Sequence, residues 1–337
     1  MFKSGMRWIF LIIGTMIGAG YASGRELWQF FGPESGLAIL IFSLLFIVCC
    51  YTILLISYEN KTYDYLPVLK KLVGKRFAPL YDGMIIIYLF TTTVIMLAGS
   101  GVTMEAFRLP YWWGIIFIAI PVVIVFIWDI DGVLSLNSII LPLLIVGLVG
   151  VLLSFIIKQD LMIFADIKEQ SNWVAAFPFT ALNILPLVAV LGAIGAQIKS
   201  KKEALFSSIG SGVILGSVSF LYNSSLVQIA NDILVYEIPL FAILKHYPYT
   251  MFIFISILLW FAIFTTAVSG TLGLVSRAKE FTQMPMWLIA LVLVVCMLPL
   301  TTFGFATLIE YLYPLYGLLN LYILSSLLLY PFLNRYK

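Results

Sequence analysis

Charged residues are scarce in this sequence. Only 10% of its 337 residues are charged, whereas 62% are hydrophobic and 15% are aromatic. A soluble domain needs a charged surface, and about a quarter of its residues are Asp, Glu, Lys or Arg. The composition therefore excludes an ordinary soluble protein. It predicts a chain whose outer surface mostly contacts lipid, with aromatic side chains at the two membrane interfaces.

Cysteine and histidine are scarce as well. The chain has three cysteines, Cys49, Cys50 and Cys296, and one histidine, His246. The cysteines lie inside apolar runs, and their spacing fits neither a disulfide framework nor a metal site. The sequence also lacks a catalytic triad and a nucleotide-binding motif. We therefore expect no enzyme activity, no cofactor and no nucleic-acid partner.

Long polar stretches are missing too, and apolar runs make up most of the chain. A transmembrane helix needs about 20 mainly apolar residues, and the sequence contains ten runs of this kind. They cover about 7–31, 36–58, 80–107, 111–128, 133–157, 173–198, 205–230, 249–276, 284–303 and 305–333. The sequence predicts an all-α polytopic membrane protein with ten spans and one membrane domain over 1–337.

Lys and Arg are distributed unevenly between the loops. With ten spans, 14 of the 19 Lys and Arg residues fall on the side of the N-terminus. Because loops rich in Lys and Arg stay in the cytoplasm, this bias predicts that both termini are cytoplasmic. One helix more or fewer would exchange the sides of half the loops.

The ten spans divide into two halves of five, over about 7–157 and 173–333, with a polar segment at 158–172 between them. An odd number of spans in each half makes the second half run opposite to the first. Such a 5+5 inverted repeat is the plan of many secondary transporters. Spans 1 and 6 are then equivalent, and in this plan both are interrupted near the middle of the membrane.

Spans 1 and 6 both contain helix-weakening residues. Span 1 carries four glycines in the stretch GTMIGAGYASG at 14–24, and span 6 carries Asn183 and Pro186 near its middle. Proline removes a helical hydrogen bond, and unpaired backbone groups are tolerated in a membrane only where they face protein or water. The sequence predicts that helices 1 and 6 are discontinuous and enclose a binding site. Tight helix packing by small residues is the alternative explanation for the glycines.

The stretch GTMIGAGYASGRELWQFFG, with Gly14, Gly18 and Gly20 at its start, resembles the first span of the YkvI-like bacterial membrane proteins. This family is related to the sodium-dependent amino-acid transporters that share the LeuT fold, within the amino acid–polyamine–cation superfamily. The resemblance covers the whole chain. It implies a multi-pass transporter of the bacterial inner membrane that moves a small amino acid or a similar zwitterion by alternating access.

The resemblance also implies a sodium site between spans 1 and 8. In this sequence the carbonyl groups of Gly14 and Ile17 match the ligand positions of the first span. In span 8, Ala262, Thr265 and Thr266 match the A-x-x-[ST]-[ST] pattern, which supplies one carbonyl and two hydroxyl ligands. The alternative is that the two hydroxyl groups only bond back to their own helix.

A substrate site is implied beside the break in span 1. There the N–H groups of Ala19 and Gly20 begin the outer half-helix, a place that favours an anion such as a substrate carboxylate. The amide of Asn183 needs partners at mid-membrane, and Tyr88 either contacts substrate or packs as an ordinary aromatic. The candidate substrate-binding residues are Gly18, Ala19, Gly20, Tyr21, Tyr88 and Asn183.

Charged residues inside spans are costly and usually functional. By the resemblance, Arg25 of span 1 and Glu310 of span 10 form an outer gate over the substrate. Arg25 lies one position beyond the place that the glycines predict for it. Glu26 is a further gate residue, as the alternative partner of Arg25 or as a partner of Arg108. A short amphipathic helix is predicted over 236–248, on the outer side.

These features predict sodium-coupled symport, with a small-molecule substrate, sodium and the bilayer as partners. Span 5, over 133–157, contains no charged residue, so no lysine takes the place of sodium as it does in some proton-coupled relatives. Proton-coupled or uncoupled permeation remains an alternative, since Glu26 or Glu310 can titrate. A membrane sensor or ligand-binding subunit that does not transport is the alternative of another class.

Overall fold

The computed structural model describes residues 2–127, 130–159, 170–233, 235–279 and 281–333, and the regular secondary structure in this part of the chain is all helical. The all-α prediction is therefore confirmed. The helices are α1 (Phe2–Met16), α2 (Ala19–Ala22), α3 (Arg25–Phe30), α4 (Gly36–Asn60), α5 (Leu66–Glu105), α6 (Tyr111–Val125), α7 (Ile130–Lys158), α8 (Ala176–Gly192), α9 (Lys201–Gln228), α10 (Ala230–Ile233), α11 (Pro239–Leu244), α12 (Tyr249–Ala278), α13 (Met286–Met297), α14 (Phe305–Leu319) and α15 (Leu321–Leu333).

The chain is a multi-pass membrane protein. Among the described residues, eight helical segments are long and apolar enough to cross a bilayer. Two shorter apolar helices, Ser4–Met16 and Tyr111–Val125, correspond to parts of predicted spans 1 and 4. The count of ten spans and the 5+5 repeat stay predictions, and most of the polar segment 158–172 lies outside the described residues.

The first span is interrupted, as its glycines predict. Helix α1 ends at Met16 and α2 begins at Ala19, with Gly18 in an extended conformation between them. A second interruption follows at Gly24, whose φ of 81° lies in the left-handed region. There the Tyr222 hydroxyl of α9 donates to the Ala22 carbonyl at 3.0 Å. The first span therefore consists of three helical pieces.

The predicted interruption of span 6 is wrong. Helix α8 runs from Ala176 to Gly192 as one α-helix, with Asn183 and Pro186 inside it. The ring of a proline holds φ near the helical value, so a single proline removes one hydrogen bond without ending a helix that its neighbours enclose. The chain leaves the α-helix only after Gly192, and it then passes close to the carbonyl of Ser57 at Gly195.

The broken first span lies in the centre of the bundle. Its three pieces pack against α5, α7, α8, α9, α12 and α14. We call the end of the bundle that carries Ser4 the N-terminal face, and the end that carries Arg25 the distal face. Helix α5 begins earlier than predicted span 3, and a left-handed residue at Gly74 separates its first two turns from the long span.

The short helix predicted over 236–248 exists as α11, but no face of it is exposed as in the predicted amphipathic helix. All six of its residues, Pro239–Leu244, are buried. The Leu240 N–H donates to the Ser23 carbonyl at 2.9 Å, beside the second interruption of span 1. Helix α11 therefore packs inside the distal face, where it satisfies a backbone group that the interrupted helix leaves free.

We predict that Gly24→Ala lowers the thermal stability of the detergent-purified protein. The left-handed φ costs a non-glycine residue about 1–2 kcal/mol, and a Cβ at Gly24 would lie 2.8 Å from the Tyr222 ring. Gly83→Ala is the matched control, because nothing lies within 4 Å of a Cβ built there. Thermal unfolding followed by tryptophan fluorescence compares the two variants, and equal unfolding temperatures would contradict the prediction.

Candidate functional site

The interruption of the first span changes the partners of its backbone groups. In a continuous helix the amides of Gly18 and Ala19 would bond the carbonyls of Gly14 and Thr15, four residues earlier. Instead the Gly18 N–H donates to the Met16 carbonyl at 2.9 Å, and the Ala19 N–H faces the Met96 sulfur at 3.4 Å. A thioether is a weak acceptor. The break therefore offers two carbonyl oxygens and one weakly bonded N–H group.

Three other helices approach the break closely. A Cβ built on Gly18 would lie 3.5 Å from Cγ2 of Thr266 in α12 and 3.7 Å from Cε of Met96 in α5. A Cβ built on Gly14 would lie 2.6 Å from Cδ1 of Leu141 in α7. The space around the break is thus enclosed by α5, α7 and α12, the arrangement expected for an ion site between spans 1 and 8.

The threonines of the predicted sodium site lie on α12 beside the break. The hydroxyl groups of Thr265 and Thr266 both donate to the Ala262 carbonyl, at 3.2 and 2.8 Å. This is the back-bonding that the sequence left open as an alternative. It does not exclude ligation, since a hydroxyl that donates its proton keeps two lone pairs on oxygen. The structure thus brings Thr266 to the first span, with Thr265 and Ala262 next to it.

On the distal side of the break, three polar groups converge near Gly20. The Asn183 Nδ2 group of α8 donates to Glu26 Oε1 at 3.1 Å and to the Phe179 carbonyl at 2.9 Å. A Cβ built on Gly20 would lie 3.0 Å from Glu26 Oε2 and 3.1 Å from the Tyr313 hydroxyl oxygen. Glu26 is only 4% exposed. A carboxyl, an amide and a phenol therefore meet at one buried point.

Tyrosines of α5 and α14 extend this polar region. Tyr88 packs edge to face on Tyr316, with ring centroids 5.2 Å apart, and the Tyr316 hydroxyl hydrogen-bonds Thr91 at 2.8 Å. Sequence reasoning named Tyr88 but missed Tyr313 and Tyr316. The signal for them was their spacing, because Glu310, Tyr313 and Tyr316 follow at three-residue intervals along one face of α14.

Tyr21 points away from this region. Its hydroxyl contacts the Ser219 hydroxyl at 2.8 Å and donates to the Leu215 carbonyl at 3.1 Å, both on α9. Its ring is fully buried. In this structure Tyr21 therefore anchors α2 to α9, while the backbone of Gly18, Ala19 and Gly20 faces α5, α12 and α14.

Arg25 and Glu310 lie together at the distal face. The Arg25 Nη2 atom is 3.9 Å from Glu310 Oε2, and the two side chains are 16% and 51% exposed. Glu26, the alternative partner, bonds Asn183 instead. Glu237 was missed at the sequence level. It lies close enough to Arg25 for an electrostatic interaction, and its Oε2 atom accepts the Ala306 N–H at 3.1 Å, at the start of α14.

A second buried carboxylate holds the first span at the N-terminal face. Glu203, 1% exposed, accepts the Ser4 hydroxyl, the Trp8 Nε1–H at 2.5 Å and the Lys199 N–H at 3.0 Å. Ser200 caps α9 by accepting the Glu203 N–H at 3.3 Å. The Ser-x-x-Glu capping box was the sequence signal for this contact. The first span is thus fastened near both ends.

Comparison with known proteins gives two relatives by sequence. The chain is 49% identical to the uncharacterized protein YyaD of Bacillus subtilis over 337 residues, which is all of both chains. It is 24% identical to the uncharacterized membrane protein YkvI of Bacillus subtilis over 335 residues, covering 95% of this chain and 94% of YkvI. No family model matches the sequence.

Three solved structures share the fold at 14% identity. The manganese transporter of Eremococcus coleocola has a TM-score of 0.62 and matches 97% of this chain and 78% of its own. The inward-facing conformation of Mhp1 has a TM-score of 0.63, and the match covers 96% of this chain and 76% of the Mhp1 chain. The substrate-bound outward-open state of a Na+-coupled sialic acid symporter has a TM-score of 0.54, and the match covers 97% of this chain and 86% of the symporter chain. The chain therefore has the LeuT fold.

We predict that Glu203→Gln loosens α1. Glutamine has one acceptor oxygen in place of two, so at least one buried hydrogen bond is lost, at a cost of about 1–3 kcal/mol. Amide hydrogen exchange in the peptide that covers α1 should accelerate. Glu59→Gln is the matched control, because the Glu59–Lys201 pair (2.7 Å) is exposed and contributes about 0–1 kcal/mol. Unchanged exchange in Glu203→Gln would show that this contact does not fasten α1.

Proposed function

The chain belongs to the YkvI-like family of membrane proteins with the LeuT fold, and from this premise we propose that it is a secondary transporter. It moves a small molecule by alternating access and catalyses no covalent step. The observation that carries this proposal is the interrupted first span, whose free carbonyl and N–H groups lie beside a buried carboxyl group. The Lys and Arg bias supports a bacterial inner-membrane location with both termini cytoplasmic.

Sodium is the coupling ion in this proposal. The Gly14 carbonyl lacks the Gly18 amide as a helical partner, and Thr266 packs against the same break. Carbonyl and hydroxyl oxygens are hard ligands that suit a small cation without a carboxylate. The ligands are the carbonyls of Gly14, Ile17 and Ala262 and the hydroxyls of Thr265 and Thr266. The uncharged span 5 supports an ion in this place.

The substrate is a small amino acid or a similar zwitterion. Its carboxylate binds the Ala19 and Gly20 N–H groups, and the first of these now faces only the weak acceptor Met96. Manganese, which the structural neighbour transports by its name, is a less suitable substrate for this chain. Within the described ranges no three His, Cys, Asp or Glu side chains come together as a metal site.

In this proposal, alternating access depends on the side-chain contacts that hold the two ends of the first span. At the distal face, Arg25 lies 3.9 Å from Glu310, and Glu237 bonds the Ala306 N–H group at the start of α14. At the N-terminal face, Ser4 and Trp8 bond Glu203. Release of the distal contacts opens the site to one side, and release of α1 from α9 opens it to the other. The interruption at Gly18 lets α1 move without α2 and α3.

A proton-coupled permease is the second candidate, because the buried Glu26 is a group that can bind a proton. Uptake into proteoliposomes separates the two candidates. A panel of amino acids is tested with an inward sodium gradient, with an inward proton gradient and with neither, at a clamped membrane potential. Sodium-driven uptake is the expected result. Binding of an amino acid without any uptake would instead indicate a sensor or a ligand-binding subunit.

We predict that replacing both Thr265 and Thr266 by alanine raises the sodium concentration for half-maximal uptake at least about tenfold. A tenfold change corresponds to about 1.4 kcal/mol of lost ligand energy. Ser256→Ala is the matched control, because this hydroxyl also lies on α12 and donates to a carbonyl of its own helix, that of Phe252 at 2.7 Å. Uptake that ignores sodium in the wild-type protein and in both variants would eliminate the ion site.

We predict that reversing the charge of Arg25 or Glu310 alone strongly reduces uptake, because like charges then face each other at the distal face. The double reversal, Arg25→Glu with Glu310→Arg, should restore part of the activity. The exposed pair of Asp232 and Lys245 (2.7 Å) is the control, and its reversals should change uptake little. If the double reversal recovers nothing, Arg25 and Glu310 do not act as a gate pair.

A further inference from the structure

Glu26 is a buried carboxyl group whose protein contacts do not neutralise it. Its side chain is 4% exposed, and Oε1 accepts a hydrogen bond from the neutral amide of Asn183. Among the described residues no ion pair includes Glu26, and its neighbour Arg25 pairs with Glu310. A charged side chain inside a membrane protein is costly unless a partner offsets it. When Glu26 is ionised, its carboxylate therefore needs a cation that the described part of the chain does not supply.

The groups around Glu26 are all neutral. Asn183 of α8 bonds it, and the Tyr313 hydroxyl of α14 lies beside the same point near Gly20. Tyr88 of α5 packs edge to face on Tyr316 of α14 in the same polar region. Aromatic rings next to a carboxylate stabilise a cation further through their negative faces. The region is thus built for one positive charge.

The chemistry favours an ammonium group over other cations. A guanidinium group prefers both oxygens of a carboxylate, and at Oε1 it would have to share the oxygen with the Asn183 amide. A divalent metal needs several charged or imidazole ligands, and none are grouped in the described ranges. An ammonium group is compact and its three donors can be placed separately, so it fits a single carboxylate oxygen with the Tyr313 phenol beside it.

We propose that Glu26 is the counter-ion for a protonated amino group of the substrate, which binds at Oε2 beside Gly20 and Tyr313. This inference rests on the proposed transport function and specifies its substrate class. A substrate must carry an ammonium group, and a carboxylate without an amine is repelled by Glu26. Asn183 is a positioning residue, because it holds Oε1 and turns Oε2 toward Gly20.

A binding assay tests whether Glu26 is the counter-ion of an ammonium group, and it does not depend on transport. The full-length protein in lipid nanodiscs is titrated with L-alanine, L-serine and L-leucine, and with two analogues of each, by thermal shift. The methyl ester keeps the ammonium group and removes the carboxylate, and the 2-hydroxy acid keeps the carboxylate and removes the amine. At millimolar concentration, at least one amino acid and its ester should stabilise the wild-type protein, and the 2-hydroxy acids should not.

Variants of Glu26 identify the counter-ion. Glu26→Gln keeps an oxygen that can accept from Asn183, so folding is retained, and we expect it to weaken amino-acid binding at least about 30-fold, as for loss of a buried charge partner. Glu26→Asp keeps the charge and should retain part of the affinity. Glu105→Gln is the control, because this carboxyl is exposed at the end of α5, and binding should not change.

Several results would overturn the assignment. These are wild-type affinity in Glu26→Gln, equal binding of the 2-hydroxy acid and the amino acid, and no stabilisation by any ammonium-bearing probe. Intact amine affinity in Glu26→Gln with altered pH dependence would make Glu26 a proton carrier instead. Glu26-dependent amine binding without uptake supports the counter-ion and contradicts the transport function. Uptake of acids that have no amine supports transport and contradicts the counter-ion.

Discussion

The hydrogen-bonding requirement of the backbone determines how the centre of this bundle is built. Inside a bilayer every N–H and carbonyl group needs a partner, and the interruptions at Gly18 and Gly24 deprive several groups of their helical ones. Neighbouring helices supply the replacements. Met96 of α5 faces one N–H group, Tyr222 of α9 covers the Ala22 carbonyl, and the backbone of α11 bonds the Ser23 carbonyl. The groups without a partner, or with only the weak acceptor Met96, are those available to ligands.

The sequence predicted the first interruption because its signal is local. Glycines at Gly14, Gly18 and Gly20 weaken a helix wherever they occur, and the chain breaks among them. Pro186 gave a similar signal with a different outcome, since a proline whose φ fits the helix loses one hydrogen bond and the surrounding helices keep α8 continuous. A glycine pattern therefore predicted backbone geometry better than a proline did.

The sequence predicted many residues of the site, but it did not predict which of them contact each other. The glycines of span 1 placed Arg25 one position out of register, because their spacing predicts the first interruption and not the second one at Gly24. The left-handed Gly24 begins a new helix at Arg25, which brings Arg25 to Glu310 and turns Glu26 inward to Asn183. No local pattern encodes that rotation. Tyr313 was missed although it shares a helix face with Glu310, since aromatic residues in a span usually indicate an interface and its contact with Gly20 depends on tertiary packing.

The shortness of α3 has a mechanical consequence. Arg25 and Glu26 are consecutive residues of a six-residue helix with an interruption on its N-terminal side, so they move as one rigid piece. A displacement that separates Arg25 from Glu310 also displaces Glu26 from Asn183. Occupancy of the buried carboxyl and closure of the distal face are then linked, and thermodynamic linkage is reciprocal. A ligand that favours the closed position of α3 is itself held more tightly when that face is closed.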